Sequence, residues 1–321
     1  MGRVNTATKQ YMKKNDKVAD VFNFYAYGGK QIIKPENLSE LDSAEIDFTY
    51  GKNKKGLPVE RIRDIVRLMT LKTDGTAVYA ILGIENQDKV HYAMPVRNQI
   101  YDALAYVNQI KVIADKHKEK SDGKEHSGDE YLSGFYKEDR LFPVITIVVY
   151  FGADKWDGPT CLHEMMSVEN EEILSLVNNY QIHLITPASL SDEELAKFHT
   201  DLKEVLTFIK YSQDEDKIKE LLNGNENFAS MDLDAARVLQ ECTSIDIQIN
   251  KKRKGKVNMC KAWDDHRKRG IEEGMEKGIQ IMIETYQELG LTRDATIEKV
   301  TQKFAVELEK ATDYVHRYWV A

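Results

Sequence analysis

At 321 residues the chain can bury one large core or two small ones, and 42% hydrophobic with 31% charged residues excludes a fibrous or largely disordered protein. A net charge of −8 excludes a protein that coats nucleic acid indiscriminately, although a local basic patch can still meet phosphate. The longest apolar stretch, around FPVITIVVYFGA, is too short to span a bilayer and the basic N-terminus MGRVNTATKQYMKKNDK has no apolar core, so a cytoplasmic protein without a membrane partner is expected.

In chain order, the two glycines of YGGK, residues 27–30, lack the spacing and the Ser/Thr of a phosphate loop and read as a turn. Residues 59–71 and 77–87 read as two strands joined by KTDGT, because Asp-Gly supplies the positive φ that a type I′ hairpin loop needs at both central positions. Residues 95–118 open on a proline suited to a first helical turn, and Val96, Ile100, Leu104, Val107 and Ile113/Ala114 recur with the helical period. DKHKEKSDGKEHSGDE, residues 115–130, has almost no apolar content and reads as a loop. FPVITIVVYFG, residues 142–152, resumes as a buried strand, and IHLITP, residues 182–187, as a shorter one. Ser191 and Glu194 make a capping-box pattern that opens one helix along Leu195, Phe198, Leu202, Val205 and Ile209. Only helix is expected beyond it, which gives an α/β domain with a mixed sheet and a helical C-terminal region.

An Asp74-Gly75 turn sets Asp64 opposite Glu85, and directly opposed residues share a face with Cβ atoms about 4.5–5.5 Å apart. Gln87, two residues on, lies on that face too. The rest of the face is mostly apolar: Ile62, Val66, Leu68, Ile81 and Gly83. Two like charges opposed in such a row repel unless a cation or a proton resolves them. The alternatives are that Asp64 pairs with Arg61, Arg63 or Arg67, or that the register slips; adjacent arginines point to the other face by alternation, which weakens the first.

The run Asp20-Val-Phe-Asn, then Arg63-Asp64, then Ile84-Glu85-Asn86-Gln87 and Met94-Pro-Val-Arg97 resembles the recombination-promoting nuclease family, the transposase-like branch of the PD-(D/E)XK nucleases. LSGFYKEDRLFPVITIVVYFG and WDGPTCLHEM resemble the same branch, so the likeness runs over residues 18–250. It implies a restriction-endonuclease-like mixed sheet flanked by helices over residues 16–250; the shift in composition after Ile249, to the basic run KKRKGK and a charged glycine-striped helix, sets residues 251–321 apart as a basic segment and helical tail. It also implies a DNA endonuclease linked to recombination or transposition, in which Asp64 and Glu85 hold Mg²⁺ or Mn²⁺ and Gln87 orients the attacking water. Magnesium suits two carboxylates completed by water and substrate phosphate. Two positions depart from the pattern: Arg63 stands where proline precedes the first acid, and Gln87 where the wider superfamily has lysine. Gln87 and the negative net charge leave open a second class, a nucleic-acid-binding or regulatory protein on a decayed nuclease fold.

Arg97 is placed to reach a phosphate or to brace Glu85, and Asp20 to add a third acid or to sit as a solvated helix residue. Residues 251–269 carry nine Lys/Arg against two Asp, a local charge of +7, and Lys251, Lys252, Arg253, Lys254 and Lys256 are the candidate phosphate contacts. Cys161, Cys242 and Cys260 are odd in number and widely spaced, and His163-Glu164 lacks a second histidine at i+4, so neither a disulfide framework nor a zinc site is expected. Gly270, Gly274 and Gly278 recur every four residues, either as a helix–helix contact between subunits or as glycines that an exposed helix tolerates. The last segment reads as two short helices with Ile297, Val300, Phe304, Leu308 and Val315 inward, a packing module too acidic for DNA.

Overall fold

A computed structural model describes residues 3–41, 64–73, 76–119, 126–243, 245 and 255–319. The chain divides into two compact units, Met1–Ser244 with Lys251–Val257, and Ile245–Asn250 with Asn258–Ala321.

The first unit begins with helices α1 (Arg3–Met12) and α2 (Asn15–Tyr27). Helix α2 stops where Gly28 takes φ 61°, so the YGGK segment is the turn its glycines suggest. Strand β1 (Leu38–Glu40) precedes the hairpin β2 (Ile65–Thr73) and β3 (Thr76–Gln87), whose partners run from Thr73↔Thr76 to Ile65↔Ile84. That is the register an Asp74-Gly75 turn dictates; the turn itself, and residues 59–63, lie outside the described residues. Helix α3 (Met94–Glu119) crosses to β4 (Val144–Tyr150), which lies parallel to β3, and β5 (His183–Ile185) lies parallel to β4. The result is a five-stranded mixed sheet in the order β1-β2-β3-β4-β5, flanked by helices.

One face of the sheet is covered by α3, where Ala105 packs with Val66, Ile81 and Val144. The face α3 buries is Met94, Asn98, Tyr101 and Ala105, while Val96, Ile100 and Val107 are exposed. The apolar period therefore marks the helix correctly but not the side that meets the sheet. Its rotation is fixed instead by polar bonds: Thr146 on β4 and Tyr180 both donate to Asp102, at 2.7 and 2.5 Å. On the other face Arg67 donates to Asn15 Oδ1, to the carbonyl of Lys13 and to Glu40, tying β2 to the α1–α2 junction.

The polar stretch after α3 holds a short helix, α4 (Gly128–Ser133), opened by a Ser127/Glu130 capping box within what composition marks as loop. Helix α5 (Glu171–Ser175) follows before β5. The Ser191/Glu194 capping box forms, yet the helix it opens, α6 (Asp192–Leu195), ends after one turn, and α7 (Leu202–Tyr211) starts afresh. The break has a cause. The carboxylate of Asp20, on α2, accepts from the amides of His199 and Thr200 at 2.9 and 2.8 Å and from Thr200 Oγ1 at 2.7 Å, holding that segment out of the helix. Leu195, Phe198, Leu202, Val205 and Ile209 are all buried, so the inward face survives the break. Helix α8 (Glu215–Gly224) leads to strand β6 (Met231–Asp232), helix α9 (Leu233–Thr243) and strand β7 (Lys256–Val257), which pairs antiparallel with β6. This two-stranded ladder corrects the expectation of helix alone beyond Ser191. Helix α1 packs against α9 and touches β3.

The second unit holds α10 (Met259–Glu288), α11 (Arg293–Phe304) and α12 (Leu308–Tyr318) around Ile279, Ile283, Val300, Ala311 and Val315. Ile297 and Phe304 pack on this core as expected, whereas Leu308, the first residue of its helix, is exposed. Of the glycine stripe, only Gly278 meets a neighbour, Phe304 of α11 in the same chain.

Candidate functional site

The site grows from the end of the hairpin. One residue beyond the last ladder pair, Ile65↔Ile84, stand Asp64 and Glu85. Each carboxylate is tied to the other's strand: the Asn86 amide donates to Asp64 Oδ2 at 3.0 Å, and the Asp64 amide donates to Glu85 Oε1 in a longer bond of 3.4 Å. Both side chains are almost wholly out of solvent, Glu85 at 0% and Asp64 at 8% exposure. Two buried acids at one spot need cationic partners.

The structure supplies two. From the first turn of α3, Arg97 Nη2 donates to Glu85 Oε2 at 3.0 Å, and its Nε donates to the Tyr101 hydroxyl one turn later at 3.1 Å. From α1, Lys9 Nζ stands 3.8 Å from Asp64 Oδ1. Burial pushes the Asp64 carboxyl above its usual range, an effect that the Asn86 amide, Lys9 and Arg97 offset only in part. Burial is the largest influence on the Arg97 guanidinium and would lower it, but the charge of Glu85, the Tyr101 hydroxyl and the charge of Asp64 together outweigh it and the net shift is upward.

Gln87 lies on the same face of β3 as Glu85, opposite Tyr150 of β4, and is half-buried. Its carbonyl accepts from the Phe151 amide at 2.7 Å, while its side-chain amide has no hydrogen-bond partner among the described residues. Asp64, Glu85 and Arg97 therefore come together, with Gln87 two residues on along the same face of β3. The basic run does not join them as far as it is described: Lys256 sits in β7, its ammonium 3.0 Å from Asp232, and Lys251, Lys252, Arg253 and Lys254 lie outside the described residues. Asp20 is neither solvated nor a third acid of this pair; it is 1% exposed and committed to the His199–Thr200 segment.

Lys9 and Tyr101 are the neighbours that sequence reasoning missed. Lys9 is one of several lysines in a basic N-terminal stretch, and nothing local distinguishes it. Tyr101 could have been found, since it lies four residues after Arg97 and such pairs meet on a helix surface.

Chemically, the donor set fits a hard divalent cation. Mg²⁺ or Mn²⁺ takes two adjacent carboxylates and completes its shell with water and phosphate oxygens. No group of three or more His, Cys, Asp or Glu side chains able to hold a metal occurs among the described residues.

Residues 67–237, more than half of the chain, match the model of the family described as "Putative transposase, YhgA-like". The chain belongs to this family. Neither a curated protein nor a solved structure matches it. Among the described residues no helix is long and apolar enough to cross a membrane.

Proposed function

We propose that the protein is a metal-dependent DNA endonuclease acting in transposition or recombination, built on a restriction-endonuclease-like fold of the PD-(D/E)XK superfamily. The observation that carries this reading is the Asp64–Glu85 pair: two buried carboxylates side by side at the end of a hairpin, beneath a helix that follows the second strand. Membership of a transposase-like family supports DNA as the substrate.

Asp64 and Glu85 would hold Mg²⁺ or Mn²⁺, which when bound supplies Lewis acidity at the phosphate and a more acidic water. Arg97 fixes the rotamer of Glu85, and the Asn86 amide fixes that of Asp64, so both carboxylates are oriented before substrate arrives. Gln87, with an uncommitted amide on the same face, orients the attacking water. An amide does not accept the proton at neutral pH, so that proton passes to solvent or to a substrate phosphate oxygen. Attack forms one P–O bond, and the bond to the leaving sugar oxygen breaks, that oxygen taking a proton from solvent.

The test is plasmid nicking by wild type and Asp64→Ala with Mg²⁺, Mn²⁺ or EDTA. Metal-dependent nicking by wild type alone is expected. A second reading, a nucleic-acid-binding protein on a decayed nuclease fold, is favoured by Gln87 and the net charge of −8. Metal-independent DNA binding with no cleavage by either protein would establish it and remove the first.

A further inference from the structure

Resting on the nuclease reading, we infer that Lys9, brought in from the N-terminal helix, is a catalytic residue of this site: its ammonium meets the scissile phosphate in place of the strand lysine that Gln87 replaces. Three observations carry it. First, Lys9 Nζ is 3.8 Å from Asp64 Oδ1, a long ion pair that engages at most one of its three donors and leaves the others for an oxygen placed beside the carboxylate. Arg97 is different, committed at 3.0 Å to Glu85 and at 3.1 Å to Tyr101. Second, the Lys9 side chain is 25% exposed beside a carboxylate that is only 8% exposed, so it links the buried pair to solvent. Among the described residues it has no other ion-pair partner.

Third, the helix that carries it is anchored. Thr8, Tyr11 and Met12, its neighbours on α1, are buried, and the Tyr11 hydroxyl donates to Asp201 at 2.7 Å. Lys9 is thus a flexible cation on a fixed backbone, suited to follow phosphate as negative charge shifts during attack. Gln87 brings no charge, so among the described residues Lys9 is the mobile positive group beside the carboxylate pair.

The experiment uses the full chain and four variants: Lys9→Met, Lys9→Gln, Gln87→Lys, and Lys9→Met combined with Gln87→Lys. Two readouts are taken, plasmid cleavage with Mg²⁺ and the salt dependence of duplex DNA binding in EDTA. Cleavage by Lys9→Met and Lys9→Gln is expected to fall about 100-fold, the usual order for losing one transition-state donor. Restoring an ammonium from the strand in the double variant should bring it back to within about tenfold of wild type. In EDTA, both Lys9 variants should bind with a salt slope shallower by about 0.9, one phosphate contact on duplex DNA. Unchanged cleavage in both Lys9 variants, loss without rescue in a double variant that melts like wild type, or an unchanged slope would each overturn the assignment. A wild type that cuts under no metal condition removes the nuclease reading instead, and the EDTA slope then decides alone whether Lys9 meets phosphate.

Discussion

Arg97 holds Glu85 at 3.0 Å from the first turn of α3, and the glutamate has no solvent-exposed side-chain surface. The pair is therefore a junction between helix and sheet as well as part of the site. Breaking a buried pair by deleting one partner leaves the other charge uncompensated, typically at a cost of about 3–5 kcal/mol. Arg97→Met should be destabilised by about that order in urea unfolding. Adding Glu85→Gln to it should recover most of the loss, while both variants lose cleavage. If Arg97→Met melts like wild type, the bridge adds nothing to the fold.

Asp64→Asn should stabilise the protein while abolishing its chemistry. Burial raises the Asp64 carboxyl above 3.8, so the folded state holds its proton to higher pH than the unfolded state does. Native stability is then progressively lost as pH rises through that window. Asparagine keeps an acceptor for the Asn86 amide and does not titrate. The variant should therefore melt higher than wild type at about pH 8, with the gap closing toward about pH 4. A gap that widens on acidification would contradict the sign of the shift.

Asp20 gives a contrasting acid. Its carboxylate satisfies two amides and a hydroxyl in the His199–Thr200 segment, and an unsatisfied buried donor costs about 1–3 kcal/mol. Asp20→Ala should lower the urea midpoint by the equivalent of at least about 2 kcal/mol without altering metal-dependent cleavage per folded molecule. Selective loss of cleavage with an unchanged midpoint would make it a third site acid after all.

The short β6–β7 ladder places Lys256 and Val257 with the first unit. A chain ending at Val257 should unfold cooperatively with the full chain's carboxylate-site chemistry intact. Ending it at Asn250 instead removes β7, together with the Lys256–Asp232 ion pair, and should lower the melting temperature. Equal melting of the two truncations would show that the ladder contributes nothing.

The hairpin register was legible because a two-residue Asp-Gly loop leaves only one way to count back along the strands, and Glu85 followed from it. Strand β4 was legible because its residues are apolar on both faces. The rotation of α3 was not, since Val96, Ile100 and Val107 outweigh Asn98 and Tyr101 in hydrophobicity, yet the helix turns toward the polar bonds of Arg97 and Asp102. The break between α6 and α7 was equally hidden. It depends on a carboxylate 180 residues earlier in the chain, and no local pattern near Thr200 reports it.

That separation also sets a schedule for the growing chain. Val18, Val21 and Phe22 on α2 are fully or almost fully buried, yet Asp20 on the same helix has its partners only at His199 and Thr200. At a synthesis rate of about 5–20 residues per second, roughly 10–40 s pass between the emergence of α2 and that of the segment it latches. For that interval the Asp20 carboxylate, which folding buries, has none of its native donors from the His199–Thr200 segment and stays with water.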